Sequence, residues 1–153
     1  MAIASGFLAY GCLAWVPALG TEETEVELLS RLPRETHPGK RMKLELKVAR
    51  LSLKRAETAY TQSNPVLAQE SLEAYSERIQ QAWTALERAG WQADRHVSDF
   101  KHLDFRLYED GRRLEDLKQK VAYTDRAAVQ EAQAIVRKVR EEVLAAIFPP
   151  ESR

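Results

Sequence analysis

The feature that most constrains this chain is a regular spacing of apolar residues, with steps that alternate between four and three. In residues 38–61 the series is Met42, Leu46, Ala49, Leu53, Ala56 and Tyr60. Such spacing places these residues on one side of an α-helix and indicates helices that pack against each other. Leu44, Val48 and Leu51 widen the stripe, which favours a bundle helix over a narrow two-stranded coil.

Three further series follow, and prolines mark several of their ends. The series run from Ala68 to Ala89, from Phe100 to Val121 and from Val129 to Ala146. Pro38 and Pro65 suit the first position of a helix, because proline lacks the N–H that would have no partner there. Pro149 and Pro150 end the last series. The pattern predicts helices over 38–61, 65–89, 98–122 and 125–147.

Helices of similar length with short connections predict an all-α fold, an antiparallel up-down-up-down four-helix bundle over residues 38–148. The spacing also continues in phase across Gly90, which leaves an alternative. In that alternative, residues 65–122 form one long helix shared by two elongated hairpins, whose exposed apolar stripes would require an oligomer. Gly90 as a C-terminal cap and Ser98 as an N-cap favour the bundle.

The N-terminal segment differs sharply from the rest of the chain. Residues 1–20 contain no charge, whereas the remainder holds all 23 basic and all 23 acidic side chains. The apolar run is short for a membrane span. Ala18 and Gly20 are small residues at the spacing of a signal peptidase site, so cleavage after Gly20 and export to the periplasm or beyond are predicted. No basic residue precedes the run, and the alternatives are an uncleaved membrane anchor or lipidation at Cys12.

Charge is segregated along the rest of the chain. Residues 21–37 are predicted to form an acidic, largely irregular tail with room for a short helix near Val26–Leu32, and residues 149–153 a short polar tail. Residues 40–57 contain seven basic and two acidic residues, whereas residues 65–89 contain four acidic and two basic ones. We expect the basic helix to pair with the acidic helix and tail. The neutral total argues against nucleic-acid binding, and membrane contact is expected only through an uncleaved N-terminus.

The sequence contains few groups with catalytic or metal-binding potential. One cysteine excludes an intrachain disulfide or a cysteine-cluster zinc site. No nucleophile elbow, zinc-protease motif or phosphate-binding loop occurs, so no enzyme activity and no cofactor are predicted. His96, Asp99 and His102 are the weak metal candidates. A di-iron bundle needs two carboxylate-x-x-His motifs, and only Asp99 to His102 has that spacing, so no metal site is predicted.

Two residues interrupt the packing pattern. Trp91 follows Gly90 off the apolar stripe, where it either covers the end of the bundle or anchors a partner, and it is our interaction candidate. Asp110 occupies a stripe position beside Gly111. It is predicted to pair with Arg106 or Arg113 at helical spacing, with a small internal polar site as the alternative.

Lys40 to Phe148 resembles a group of bacterial helical proteins that are predicted to be exported and have no assigned activity. The stretches that carry the resemblance are KRMKLELKVARLSLKRAETAY (40–60), DFKHLDFRL (99–107), RRLEDL (112–117) and the segment from TDR to LAAIFP (124–149). The resemblance implies export and an all-α fold, and it transfers no catalytic residue. We therefore expect a non-enzymatic protein that acts through a protein partner or self-association, or as a structural envelope component. A periplasmic bundle that binds a metal or small ligand is the alternative.

Overall fold

The computed structural model describes residues 24–149, which contain helices and turns and no strand. The helices are α1 (Glu25–Arg31), α2 (Pro38–Thr61), α3 (Pro65–Glu87), α4 (Val97–Lys120) and α5 (Arg126–Ile147), with single 3₁₀ turns at Leu32–Arg34 and Tyr123–Asp125. The predicted cleavage after Gly20, the lipidation of Cys12 and most of the C-terminal tail lie outside these residues.

Helices α2 to α5 form the predicted up-down-up-down four-helix bundle, which confirms the fold class. The most extensive contact between two helices is that of α2 with α3, followed by α4 with α5 and α3 with α5. Helices α2 and α4 begin at the end of the bundle where the 88–96 connection lies. We call this end the Trp91 end. The turn at 62–64 and the connection at 121–125 lie at the other end, the Pro65 end.

The helix is interrupted at Gly90, so the alternative with one continuous helix over 65–122 is wrong. Gly90 has φ +63°, and the N–H of Trp91 donates to the carbonyl of Leu86 at 3.3 Å. Glycine adopts this left-handed conformation without a steric penalty, and the bond to Leu86 is typical of a helix C-terminus. The predicted N-cap at Ser98 is wrong, because α4 begins one residue earlier at Val97 and His96 precedes it.

Two glycines provide a matched pair of substitutions with opposite expected signs. Gly90→Ala should lower the free energy of unfolding by about 1 kcal/mol, because alanine is strained at positive φ. Gly111→Ala should raise it by about 1 kcal/mol, since an added Cβ inside α4 meets only Val136 Cγ1 at 3.9 Å. Urea denaturation of both variants tests this assignment. A stabilised Gly90→Ala protein would contradict the break.

Ion pairs connect α2 to α4 near both ends. Lys43 Nζ lies 2.7 Å from Asp99 Oδ1. Arg113 donates twice to Glu57, from Nη2 at 2.7 Å and from Nε at 3.2 Å. The partners on each helix are separated by the same number of residues, which shows that α2 and α4 run in the same direction in constant register.

Residues 24–36 form a helical arm, which corrects the prediction of a largely irregular tail. Thr24 caps α1 through a capping box with Glu27, and the short helix near Val26–Leu32 exists. The arm is ordered because it packs on α2, where the apolar side chains of Leu44 and Val48 would otherwise be exposed to solvent. Leu28 and Leu32 of the arm bury them.

The predicted charge pairing is only partly observed. Arg55 of the basic helix α2 forms an ion pair with Glu25 of the arm, as expected for the tail. Between α2 and α3, however, the described pair has the opposite polarity, because Arg78 of α3 binds Glu45 of α2 at 3.2 Å. In this pair the basic helix therefore contributes the acidic partner.

Candidate functional site

Of the three weak metal candidates, Asp99 forms an ion pair and His96 stacks on Trp91. Asp99 lies beside Lys43 and close to Gly39, where an added Cβ would come within 2.7 Å of Asp99 Oδ2. His102 is exposed, and its pKa is lowered by partial desolvation and by the nearby Lys43 and Arg106. In residues 24–149, no three His, Cys, Asp or Glu side chains are grouped so that they could hold a metal ion.

Trp91 forms an aromatic cluster with two histidines at the end of the bundle named after it. The Trp91 ring stacks on His96 with centroids 3.7 Å apart and planes 11° apart. It meets His37 edge-on at 5.3 Å. His37 also caps α2, since its Nδ1 accepts the N–H of Lys40 at 3.4 Å. Trp91 is half-buried against the core, so most of its contacts are internal.

An internal polar pair lies in the middle of the bundle. The Tyr75 hydroxyl donates to Asp110 Oδ2 at 3.1 Å, and Asp110 is only 5% exposed. Burial raises the pKa of Asp110 and, together with the adjacent carboxylate, raises that of Tyr75 well above its usual value. The predicted direct partners of Asp110 bind elsewhere: Arg106 binds Glu109 and Arg113 binds Glu57. Neither arginine bonds Asp110 directly, although the charges of both oppose the rise of its pKa, and the polar site is internal.

A cleft of 740 Å³ opens between α2 and α4 at the Pro65 end. Tyr60, Leu117 and Val121 contribute its apolar wall. The Glu57–Arg113 ion pair lies in the cleft, and its two charges neutralise each other. Partial desolvation and the charge of Asp125 raise the pKa of Tyr60. The cleft has room for a small molecule, and its lining carries three acidic side chains and two basic ones.

Tyr108 lies on the α4–α5 face and is 47% exposed, and Phe105, one helical turn before it on α4, is 56% exposed. The Arg140 guanidinium lies 5.2 Å from the centre of the Tyr108 ring, and its Nε donates to Asp104 at 2.7 Å. Beside Tyr108 a groove of 310 Å³ runs between the helices. Its lining includes Gly111, Val136, Arg112 and Arg137.

Sequence reasoning did not single out Phe105 and Tyr108. Their exposure could have been predicted from their positions in the sequence, because both are close to the stripe residues Leu103 and Leu107 but do not fall on the stripe. An aromatic residue at such a position on a bundle helix points away from the core.

Two further observations bear on the class of protein. Within residues 24–149, no helix has the length and apolar character needed to cross a membrane. Comparison with protein-family models, curated proteins and solved structures found no match to this chain. The site geometry therefore carries the functional argument.

Proposed function

We propose that this protein is a non-enzymatic, exported helical bundle that acts by binding another protein through its α4–α5 face. The observation that supports this proposal is the pair Phe105 and Tyr108. Exposed aromatic residues beside arginines are typical of the central contacts in protein interfaces. The groove between the two helices gives a partner side chain a place to insert.

The chemistry of the face favours an acidic partner. Arg112, Arg137 and Arg140 border the groove, and Glu115 is the acidic residue among its lining. Hydrogen bonds from Lys118, Gln133 and Gln119 lower the pKa of Glu115 to about 2, so Glu115 stays charged and engaged. Arg112 and Arg137 are exposed and offer bidentate donors to carboxylates.

Photo-crosslinking in the producing cell tests the contact. A photoreactive amino acid in place of Phe105 or Tyr108 should form an adduct with a defined protein, whereas the same group in place of exposed Gln80 on α3 should not. Equal labelling at all three positions, or none at Phe105 and Tyr108, would refute the proposed face. The mass of the recovered chain also reports whether residues 1–20 have been removed, as export with cleavage after Gly20 requires.

Binding of a small ligand is the second candidate, and the 740 Å³ cleft is the observation that favours it. A ligand there would have to compete with Glu57 for the Arg113 guanidinium. Its binding would therefore weaken in an Arg113→Ala variant and stay unchanged in Phe105→Ala, which separates this candidate from the protein contact.

A further inference from the structure

A second binding surface lies on the outer side of α2. Leu44 and Val48, with Leu51 beside them, form an apolar stripe that we call the α2 groove. Leu28 and Leu32 of the arm fill it. Within the described chain, this cluster shares no member with the core cluster of the bundle. The bundle core is therefore complete without the arm, and the arm occupies a groove that is separate from it.

The arm depends on the α2 groove for its order. Helix α1 has 7 residues, and helices shorter than about 12 residues are marginal in water when isolated. Leu28 and Leu32, one helical turn apart, are its buried apolar side chains, whereas Val26 is 76% exposed. The connection at 35–37 then leads into α2. Because its apolar contacts belong to a cluster separate from the bundle core, this segment can leave its groove without removing a core side chain.

The α2 groove is bordered by positive charge and its occupant carries negative charge. Arg55 binds Glu25 of the arm. Helical spacing places Arg41 and Lys54 beside the same stripe, and both are exposed. The arm contributes Glu25 and Glu27 in its first turn. Leucines spaced four apart and an acidic first turn are thus the features that fit this surface.

The groove is longer than the helix that fills it. Beyond Glu25 it continues into a cleft of 480 Å³ at the Pro65 end. Leu51, Ala59 and Leu67 line this cleft, with Lys54 and Arg55 beside them. An acidic helix longer than α1 by one or two turns would contact the groove and the cleft together. Lys54 and Arg55 beside this cleft complement the acidic side chains of such a helix.

We propose that the α2 groove binds an acidic amphipathic helix of a partner protein and that the arm occupies the groove when the partner is absent. This inference goes beyond the α4–α5 contact and does not require it. The partner helix carries leucines at the spacing of Leu28 and Leu32 and extends further toward the Pro65 end. The arm then competes with the partner for one surface.

A fluorescent peptide with the sequence of residues 21–36 is the probe, and anisotropy with the purified full chain is the measurement. Leu28→Ser/Leu32→Ser removes the anchors of the arm and leaves the groove intact. This variant should bind the peptide about tenfold more tightly than the unmodified chain, because the arm no longer competes. Glu25→Lys/Glu27→Lys weakens the arm by reversing the charge that faces Arg55 and by removing the capping box, so it should act in the same direction. It covers the case in which the serine variant does not fold.

Matched changes distinguish this surface from the α4–α5 face. Adding Val48→Asp to the released chain should abolish binding, whereas adding Phe105→Ala should leave it unchanged. A peptide with Thr21→Leu extends the leucine stripe, keeps the Thr24 cap and should bind about fivefold more tightly, because it buries more apolar surface in the cleft. A peptide with its glutamates replaced by glutamine should bind more weakly at low salt and lose its salt dependence.

Three outcomes would overturn the proposal. The first is no peptide binding to a released chain that still unfolds cooperatively in urea. The second is binding that survives Val48→Asp. The third is a concentration-dependent dimer of the unmodified chain in which arms are exchanged, because that result assigns the groove to a second copy of this protein. None of these results bears on crosslinking at Phe105, so the two proposals fail separately.

Discussion

Arg78→Ala should lower the free energy of unfolding by about 3 kcal/mol at pH 7, because it strands a buried charge. Glu45 is 2% exposed, and Arg78 binds it at 3.2 Å across the α2–α3 interface. Burial raises the pKa of Glu45, and Arg78 opposes that rise. Without the guanidinium, Glu45 must either stay charged with less compensation or take up a proton. Urea denaturation followed by circular dichroism measures the loss.

A double-mutant cycle separates the stranded charge from lost packing. In a Glu45→Gln background, Arg78→Ala should cost less than about 1 kcal/mol. An equal cost in both backgrounds would show that Arg78 acts by packing alone. Arg88→Ala, at an exposed position after α3, is the control and should change stability by less than about 0.5 kcal/mol. The Arg78→Ala deficit should also shrink as the pH falls, because a protonated Glu45 needs no counter-charge.

Tyr75→Phe is the second large effect, with an expected loss of about 2 kcal/mol at pH 7. The substitution removes the hydroxyl that donates to Asp110 Oδ2 and leaves the side-chain packing almost unchanged. A buried carboxylate then lacks its closest donor. Tyr123→Phe is the matched control, because Tyr123 is 84% exposed and loses no buried bond.

The pH dependence of this pair has a definite sign. Burial raises the pKa of Asp110, so the folded state holds this proton more tightly than the unfolded state does. The contribution of Asp110 to stability is therefore fully present below its ordinary pKa and is lost as the pH rises through the raised value. Asp110→Asn should remove this dependence and leave the protein at least as stable at pH 7. A Tyr75→Phe deficit that stays constant from pH 7 down to pH 4 would contradict the assignment.

The helices were predictable because their sequence signals are local. The starts at Pro38 and Pro65 agree with the sequence prediction, since proline at the first turn and the spacing of apolar residues both act within one helix. The break at Gly90 was also readable, because a left-handed cap depends on the residue at that position. These features need no knowledge of which helices become neighbours.

The parts that depend on long-range contacts were not predictable. Leu44 and Val48 indicated a wide apolar stripe on α2, but the sequence pattern did not show that the arm would cover one side of this stripe. Asp110 had two arginines at helical spacing, yet its partner is Tyr75, 35 residues away on another helix. Similarly, the sequence placed Phe105 and Tyr108 off the stripe, but the groove beside Tyr108 exists only through the packing of α4 on α5.

The two ion pairs between α2 and α4 carry a consequence for topology. Lys43 meets Asp99 near one end and Glu57 meets Arg113 near the other. Along the chain, the positive charge therefore comes first on α2 and the negative charge comes first on α4. If α4 ran in the opposite direction at the same place, Lys43 would face Arg113 and Glu57 would face Asp99. Like charges would then meet at both ends. The two ion pairs thus favour the observed direction of α4 over the reversed one. Partly exposed ion pairs fulfil this role even where their net stabilisation is small.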